Sequence, residues 1–268
     1  MAVAMLDHER LTATVRALRE QAATQLQGKI ITVLSPKGGQ GKSTLAKELA
    51  WILNGVLVDL DWDGGRVSRL LGYLADRYRT APLLDALFDE RGRPPRVYRS
   101  RNRPDMVPGH RDFEPNQPEP DAMADLLIAW NRALGRSMVV DTHPGGSRST
   151  LGAAQAADLV VMPVILGTGE LDAVEDALTE LAGFNLLLVP NHTPANPQHL
   201  PRHESSRLLA LAEQHDVRVA DTFVRHHGWM TRRKVRTVIS AQARHGKNSA
   251  ALTHNMTALA REVLTHAA

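Results

Sequence analysis

The sequence predicts an α/β fold: a mostly parallel, twisted sheet with helices on both of its faces. Short apolar, β-branched runs such as Ile30-Ile31-Thr32-Val33-Leu34 recur along the chain, and such runs are typical of strands buried on both faces. Helix-compatible stretches separate them, and this alternation favours parallel βαβ units. The predicted strands are 30–34, 56–58, 138–140, 159–162, 186–189 and 217–220, and the predicted helices between them are 42–53, 65–75, 121–134, 170–182, 203–215 and 250–266.

The same patterns predict a helical extension over 1–28 followed by a single α/β domain over 29–268. Residues 5–26 form the predicted helix of the extension, because their apolar positions recur at i, i+4 and i+7 between charged ones. These apolar positions are Leu11, Val15 and Leu18. Residues 91–120 are rich in Pro, Arg, Gly and Asn, so we expect an irregular surface excursion with at most one short strand, near 106–107.

The composition excludes several classes of site. The 268 residues include no cysteine, which excludes disulfides, thiolate metal sites and cysteine-ligated iron–sulfur clusters. The apolar fraction of 43% is enough for one large core. No signal-peptide-like run and no stretch of bilayer-spanning length occurs, so we expect a cytoplasmic protein. The net charge of +3 is too small to indicate a nucleic-acid partner by itself.

A glycine-rich segment between the first strand and the next helix predicts a phosphate site. Its glycines let the backbone turn tightly and bring N–H groups to phosphate oxygens, and the helix adds its positive end. Lys42 would reach the β- and γ-phosphates and Ser43 would place its hydroxyl on Mg²⁺. Pro36 stands where the ordinary pattern has glycine. The predicted nucleotide-binding residues are Lys37, Gly38, Gly39, Gln40, Gly41, Lys42, Ser43, Thr44 and, near the base, Asn191.

Aspartates end two further predicted strands. Asp61 follows the strand over 56–58, and Asp141 follows the strand over 138–140. In an open parallel sheet, ligands lie beyond the carboxyl ends of the strands, so we expect Lys42, Asp61 and Asp141 to meet at one edge. Oxygen ligands suit Mg²⁺. The predicted metal ligands are Ser43, Asp61 and Asp141.

Three segments resemble the signatures of the ParA/MinD family of ATPases: Lys37-Gly38-Gly39-Gln40-Gly41-Lys42-Ser43-Thr44, Leu57-Val58-Asp59-Leu60-Asp61 and Val140-Asp141-Thr142-His143-Pro144. The resemblance runs over nearly the whole chain from Lys29 onward, including the strand within 157–163 and the closing helix over 258–264. Trp62 stands where the family usually has proline, and His143 replaces the first proline of the commoner Thr-Pro-Pro. Neither departure removes a charge from the site.

The resemblance implies a partition ATPase that uses ATP and Mg²⁺. In this family two subunits close face to face around two ATP molecules. Lys37 would reach the partner's ATP, Asp61 would position or activate the attacking water, and Asp141 would hold Mg²⁺ through water. Phosphoryl transfer needs charge neutralisation and alignment, so Lys37, Lys42 and Asp61 are the predicted catalytic residues. The implied partners are a second copy of the chain and a ParB-like centromere-binding protein. The first strand begins too early for an N-terminal helix-turn-helix domain, so operator-specific repression is not expected.

A basic segment predicts contact with duplex DNA. Between 225 and 247 no acidic residue accompanies the basic ones, so i,i+4 pairing does not account for them. The apolar Val235, Val238 and Ile239 predict an amphipathic helix between 229 and 244. Such a patch fits phosphate contacts without base reading. The position resembles that of the basic residues through which ParA proteins are thought to bind the nucleoid, which implies nucleoid association. The predicted DNA-binding residues are Arg225, Arg232, Arg233, Lys234, Arg236, Arg244 and Lys247.

Two other functions remain open at this point. A MinD-like ATPase that cycles on membranes would need a basic, bulky amphipathic helix near its C-terminus. Residues 252–264 contain one Arg, one Glu and no aromatic residue, so we expect no stable membrane association. A metabolic enzyme on the same fold, such as a ligase or a metal-cluster carrier, is the other alternative. The absence of cysteine argues against a cluster carrier, and a ligase would not need the basic segment.

Overall fold

A parallel sheet forms the centre of the protein. The computed structural model describes residues 2–63, 66–73, 81–232, 238–242 and 245–268. Within them the strands are β1 (Ile30–Val33), β2 (Val56–Asp59), β3 (Met106–Val107), β4 (Met138–Asp141), β5 (Leu159–Ile165), β6 (Leu186–Asn191) and β7 (Arg218–Val219). They pair in parallel in the order β3-β2-β4-β1-β5-β6-β7. The predicted α/β fold with a parallel sheet is therefore confirmed.

Helices cover both faces of this sheet. They are α1 (Ala2–Gln25), α2 (Lys42–Ile52), α3 (Arg66–Leu70), α4 (Pro82–Leu87), α5 (Pro120–Leu134), α6 (Arg148–Gln155), α7 (Thr168–Glu180), α8 (Arg202–Gln214) and α9 (Lys247–Ala267). Helices α1, α2 and α9 share one apolar core with the sheet, α4 and α5 share a second, and α7 and α8 share a third.

Alternate residues of each strand enter opposite layers of the core. Ile31 packs in the layer of α1, α2 and α9, whereas the preceding Ile30 packs in the layer of α5. In β5, Val161 and Val160 divide in the same way between the α2 side and the α7 side. Because both faces are covered, the strands read as continuous apolar runs in the sequence.

Helices α4 and α6 are present although the sequence patterns did not predict them. A glycine, Gly152, lies in the middle of α6, where glycine normally disfavours a helix. A Cβ there would lie 2.5 Å from the Pro120 carbonyl oxygen and 2.6 Å from the Met123 Cβ, so the glycine permits close packing on α5. The N-cap Ser147, whose Oγ accepts the Thr150 N–H at 3.2 Å, is the local signal that could have indicated this helix.

Other predicted elements differ in extent. The helix predicted over 65–75 is α3, which is five residues long and is followed by Gly72 in the left-handed region with φ 87°. Residues 74–80 lie outside the described part of the chain. The strand predicted over 217–220 is the two-residue β7. The irregular excursion over 91–120 contains β3, as predicted, and a short 3₁₀ helix at Arg111–Asn116.

Helix α1 packs on the sheet domain through one apolar stripe. Val15, Leu18, Ala22 and Leu26 are each at most 5% exposed and belong to the same core as α2 and α9. The guanidinium of Arg19, 3.9 Å from the ring centre of Trp51, also donates to the Trp51 carbonyl at the end of α2. None of the described helices is both long enough and apolar enough to cross a bilayer.

Leu18→Ala should therefore lower the free energy of unfolding by about 2–5 kcal/mol, the usual cost of removing a buried leucine side chain. Chemical denaturation measures this change. The control is Arg16→Ala on the exposed face of α1, where the 3.0 Å ion pair with Glu20 is worth no more than about 0.5 kcal/mol. Equal stability of the Leu18→Ala and Arg16→Ala proteins would show that α1 does not share the core in solution.

Candidate nucleotide site

The carboxyl ends of three neighbouring strands meet at one edge of the sheet. In the strand ladder, Asp141 of β4 pairs with Val33 of β1 on one side and with Asp59 of β2 on the other. The loop after β1 leads to Lys42, and the loop after β2 carries Asp61, so both side chains reach the same cavity. The structure thus brings together the residues that the sequence placed at this edge.

The loop between β1 and α2 needs its glycines. Gly39 and Gly41 lie in the left-handed region, with φ 82° and 90°. A Cβ on Gly41 would also overlap the side-chain amide of Asn191. Helix α2 begins directly after Gly41, with Lys42. The first N–H groups of a helix have no acceptor within it, so they are available to an anion in this loop.

Asn191 fastens this loop to the sheet. It is the last residue of β6, is 3% exposed, and donates its Nδ2 to the Gln40 carbonyl oxygen at 2.6 Å. Sequence reasoning proposed Asn191 as a contact to adenine. Its side chain does line the cavity, but the amide nitrogen is held by the loop. The buried Gln40 side-chain amide has no hydrogen-bond partner among the described residues.

Asp141 is a wholly buried carboxylate beside Lys42 and Ser43. Apart from the neighbouring Ser43 hydroxyl, no group in the described ranges donates a hydrogen bond to either of its oxygens. Burial raises the pKa of Asp141 well above its usual range, the charge of Asp59 raises it further, and Lys42 and Ser43 oppose this rise. A buried carboxylate and a hydroxyl with free oxygen lone pairs form a donor set that suits Mg²⁺.

Asp59 is a site residue for which sequence reasoning gave no role. It is fully buried and accepts hydrogen bonds from the Ser68 hydroxyl at 2.5 Å and from the Ser68 and Asp61 N–H groups at 3.0 Å each. Burial raises the pKa of Asp59 to about 7, opposed by the hydrogen bonds from Ser68 and Asp61. Asp59 therefore orders the backbone on which Asp61 lies. Only its position two residues before Asp61, at the end of a buried strand, could have indicated this.

Asp61 is 5% exposed and lines the cavity. Its Oδ1 accepts the N–H of Asp63 at 3.1 Å, so one oxygen continues the turn that Asp59 begins. Beside it, the ring of Trp62 stacks on that of His143 with 3.9 Å between ring centres and 6° between planes. The two departures from the family pattern are therefore in contact, and they join the loop after β2 to the loop after β4.

The cavity beside the phosphate loop has a volume of about 460 Å³. Its lining combines residues of the phosphate loop with several apolar side chains and three histidines, of which His192 lies close to Gly41 of the loop. Burial, helped by the neighbouring His226, lowers the pKa of His192, and this favours its neutral form. Such a wall suits a flat heteroaromatic group. The apolar and histidine residues of the lining include Leu252, Met256, Ile239, Met230, Val224, His192, His226 and His227.

Lys37 is held by its own chain. Its exposed side chain donates from Nζ to the Gly169 carbonyl oxygen at 2.6 Å, in the first turn of α7. Sequence reasoning assigned it to the nucleotide of a second subunit. In the single chain it lies outside the cavity that Lys42 lines.

The basic segment is only partly described, and it differs from the prediction. Residues 228–232 form a 3₁₀ helix and residues 238–242 form a turn, so the expected α-helix between 229 and 244 is wrong for these residues. The described Arg225 and Lys247 are both exposed, and Arg225 also lines the cavity. The side chain of Arg232 and all of Arg233, Lys234, Arg236 and Arg244 lie outside the described residues.

Glu48 of α2 holds the turn at 238–242, which lies within the basic segment. Its fully buried carboxylate accepts the N–H groups of Ile239 and Ser240 at 2.9 Å each and pairs with Lys47 at 3.0 Å. Burial by itself would raise the pKa of Glu48, but Lys47 and these two N–H groups outweigh it, so the pKa is lowered. Sequence reasoning missed Glu48, because nothing in a helical pattern distinguishes a buried acid from an exposed one.

Comparison with known proteins agrees with this architecture. No protein-family model matches the sequence, and no curated protein matches it significantly. Among solved structures, MinD from Pyrococcus horikoshii OT3 with Mg-ADP has a TM-score of 0.65 at 17% identity, over 88% of this chain and 95% of that one. A plasmid partition protein from Borrelia burgdorferi has a TM-score of 0.60 at 17% identity, over 88% and 98%. The ATP complex of a variant McdA from Cyanothece has a TM-score of 0.57 at 19% identity, over 72% and 82%.

These likenesses show the fold. The chain has the architecture of the ParA/MinD-type ATPases, as the three sequence signatures implied.

Glu48→Gln should lower the free energy of unfolding by about 3–5 kcal/mol at pH 7, because it leaves the buried Lys47 without its counter-ion. The pKa of Glu48 is lower in the folded state, so its contribution is complete above the ordinary value of 4.5 and is lost as the pH falls through the folded value. The difference between parent and variant should shrink only below about pH 4.5.

Denaturant unfolding from pH 7 downward measures this difference. Glu213→Gln, on the exposed side of α8, is the control and should have little effect. A Glu48→Gln protein as stable as the control at pH 7 would contradict the assignment of Glu48.

Proposed function

We propose that the protein is an ATP-dependent DNA-partition ATPase of the ParA/MinD type. It would dimerise on ATP, bind duplex DNA without sequence preference, and hydrolyse ATP when a ParB-like centromere-binding protein stimulates it. One observation carries the ATPase part of this proposal: the phosphate loop places Lys42 and Ser43 beside Asp141, a fully buried carboxylate to which no other described group donates a hydrogen bond. A bound Mg²⁺ would compensate the charge of the buried Asp141, and the phosphates would compensate the charge of Lys42.

Nucleotide binding would follow from the loop and the start of α2. The N–H groups of the loop and the positive end of α2 would surround the β-phosphate, and Lys42 would neutralise the β- and γ-phosphates. Ser43 and Asp141 would hold Mg²⁺, which neutralises charge on the phosphate oxygens when it is bound. The base would lie against the apolar and histidine residues of the cavity lining.

Hydrolysis would depend on Asp61. It is anchored by its N–H to Asp59 and by its Oδ1 to Asp63, so it has a fixed position at the cavity wall. From there it would orient the attacking water, while Lys42 stabilises the charge that develops on the phosphate.

Lys37 would connect hydrolysis to assembly. In the single chain its ammonium group is bound to the Gly169 carbonyl oxygen on the surface. Release of this one hydrogen bond to a neutral carbonyl would let Lys37 reach the phosphates of a partner subunit. Each of two facing nucleotides would then gain a cation only when the dimer forms.

DNA binding would use the basic segment, and the cavity supports its link to nucleotide. Met230 and Ile239 lie on either side of residues 233–237 in the sequence, and both line the cavity. Glu48, on the helix that begins with Lys42, holds Ile239 as well. A nucleotide bound in this cavity would therefore contact residues on both sides of 233–237 in the sequence.

A membrane-cycling function has less support. The apolar residues of α9 are buried against α1, α2 and the sheet, including Leu252, Met256, Leu259, Val263 and Leu264. This face stabilises the fold and would have to detach to enter a bilayer.

Lys42→Ala should abolish ATP binding, because the phosphates lose their fixed counter-ion, whereas Asp61→Ala should keep binding and lose turnover. Calorimetric titration with ATP and a phosphate-release assay measure the two effects. Lys29→Ala is the control. It removes a lysine at the opposite end of β1 that pairs with Asp158 at 3.1 Å, and it should change neither quantity. Turnover at the parental rate in Asp61→Ala would contradict the role assigned to Asp61.

Replacing Arg232, Arg233 and Arg236 together by alanine should weaken DNA binding on every duplex tested while leaving ATP-driven dimerisation intact. The log–log dependence of affinity on salt should become shallower by about one unit of slope for each phosphate that the variant no longer neutralises. Binding should require ATP, since dimerisation places two basic segments on one body and raises the effective concentration of the second.

The experiment is a salt titration of DNA binding with ATP and with ADP. The matched control replaces three exposed arginines of the irregular excursion, Arg91, Arg99 and Arg101, and makes the same change in net charge. An equal decrease in DNA affinity in both triple variants would show that the effect comes from the net charge and not from the basic segment. Equal DNA affinity with ATP and with ADP would contradict the dependence of DNA binding on ATP.

A further inference from the structure

The loop after β2 and the loop after β4 bring together a second set of metal-binding side chains. One carboxylate oxygen each from Asp61 and Asp63 and a ring nitrogen of His143 lie within 4.8 Å of one another. One of these approaches is the 3.2 Å hydrogen bond between His143 Nε2 and Asp63 Oδ2. The proposed ATPase reaction uses Asp61 alone of the three.

The imidazole of His143 is held in an orientation that suits a metal ligand. Its Nδ1 lies 2.8 Å from the Pro144 carbonyl oxygen, an acceptor, so in the neutral ring the proton resides on Nδ1. Nε2 faces the Asp63 carboxylate at 3.2 Å, a contact that is a hydrogen bond while Nε2 carries a proton, and a bound cation would take the place of that proton. An imidazole N–H directed at a backbone carbonyl is the usual support of a histidine that binds a metal. The stacked Trp62 fixes the plane of the ring.

We propose that Asp61, Asp63 and His143 form a binding site for a borderline divalent cation of the Zn²⁺ class. This site shares Asp61 with the predicted Mg²⁺ ligands but does not include Ser43 or Asp141. A nitrogen ligand favours such cations, whereas Mg²⁺ prefers oxygen alone. Zn²⁺ bonds of about 2.0–2.2 Å require the ligand atoms to approach to roughly 3.5 Å. The Asp63 side chain is 75% exposed and can make this small movement, whereas Asp61 is buried and His143 is stacked.

Occupation of this site has a consequence for the reaction. A cation bound to Asp61 withdraws its carboxylate from the attacking water. Zn²⁺ should therefore inhibit turnover without displacing the nucleotide, because Lys42, Ser43 and the loop N–H groups are not ligands. This consequence rests on the proposed ATPase function, whereas the metal site itself does not.

The first experiment measures binding directly. Full-length protein, freed of metals and nucleotide, is titrated with Zn²⁺ against a chromophoric chelator, with Co²⁺ absorption as a second probe of histidine ligation. The parent should bind one Zn²⁺, and Asp63→Asn and His143→Ala should each weaken that binding at least about tenfold. His203→Ala removes an exposed histidine of α8 and should leave it unchanged.

Because Asp63 is exposed, Asp63→Asn is not expected to affect folding, so it keeps the test valid if His143→Ala is unstable. No Zn²⁺ binding by the parent, or undiminished binding by Asp63→Asn, would overturn the proposal.

The second experiment measures phosphate release at saturating Mg²⁺ and ATP. Zn²⁺ should inhibit the parent and inhibit Asp63→Asn at least about tenfold less. If the parent binds Zn²⁺ as described but releases no phosphate even without it, the proposed ATPase function fails and the metal site stands. If Zn²⁺ inhibits parent and Asp63→Asn equally, the assigned consequence of the site is wrong.

Discussion

Carboxylates buried at the carboxyl edge of a parallel sheet are the constraint on which this structure depends. Asp59 and Asp141 are adjacent in the strand ladder and are both completely buried, and Asp61 follows Asp59 two residues later at 5% exposure. Burying like charges side by side is costly unless they are neutralised by protons, cations or hydrogen bonds. The raised pKa values of Asp59 and Asp141 express this cost. Asp59 is stabilised by hydrogen bonds from Ser68, whereas Asp141 has only the nearby Lys42 and Ser43.

The phosphate loop and the far wall of the cavity are held by buried polar contacts of the same kind. Asn191 fixes the phosphate loop by donating to the Gln40 carbonyl oxygen. Glu48, on the helix α2 that follows this loop, fixes the turn at Ile239. Both contacts join segments that are more than 150 residues apart in sequence. The phosphate loop and the turn at 238–242 are therefore each held by a well-defined buried side chain, which makes the proposed coupling of nucleotide and DNA binding accessible to single substitutions.

Much of the fold and the centre of the site could be predicted from the sequence, because those features depend on local patterns. Buried parallel strands appear in the sequence as apolar runs, and the glycine-rich loop between a strand and a helix predicts a phosphate site. Contacts between distant segments could not be read in this way. Gly152 makes α6 hard to predict, because glycine disfavours a helix and is present there to allow close packing on α5. The sequence around Glu48 does not distinguish it from an exposed helical glutamate. The helix expected around Val238 and Ile239 is instead a turn. Both side chains are buried in the core, and Glu48 accepts the backbone N–H of Ile239, so these residues do not form the stripe of a surface helix.

The most direct test of the account is whether Asp141 holds the metal of a bound nucleotide. Mn²⁺ can replace Mg²⁺, and its electron paramagnetic resonance spectrum reports both binding and coupling to phosphorus. With a non-hydrolysable ATP analogue, the parent should bind one Mn²⁺ that is coupled to ³¹P. Asp141→Asn should weaken that binding at least about tenfold, while Asp63→Asn should leave it unchanged. A parent protein that binds no nucleotide-dependent Mn²⁺, or an Asp141→Asn protein that binds it as the parent does, would contradict the account.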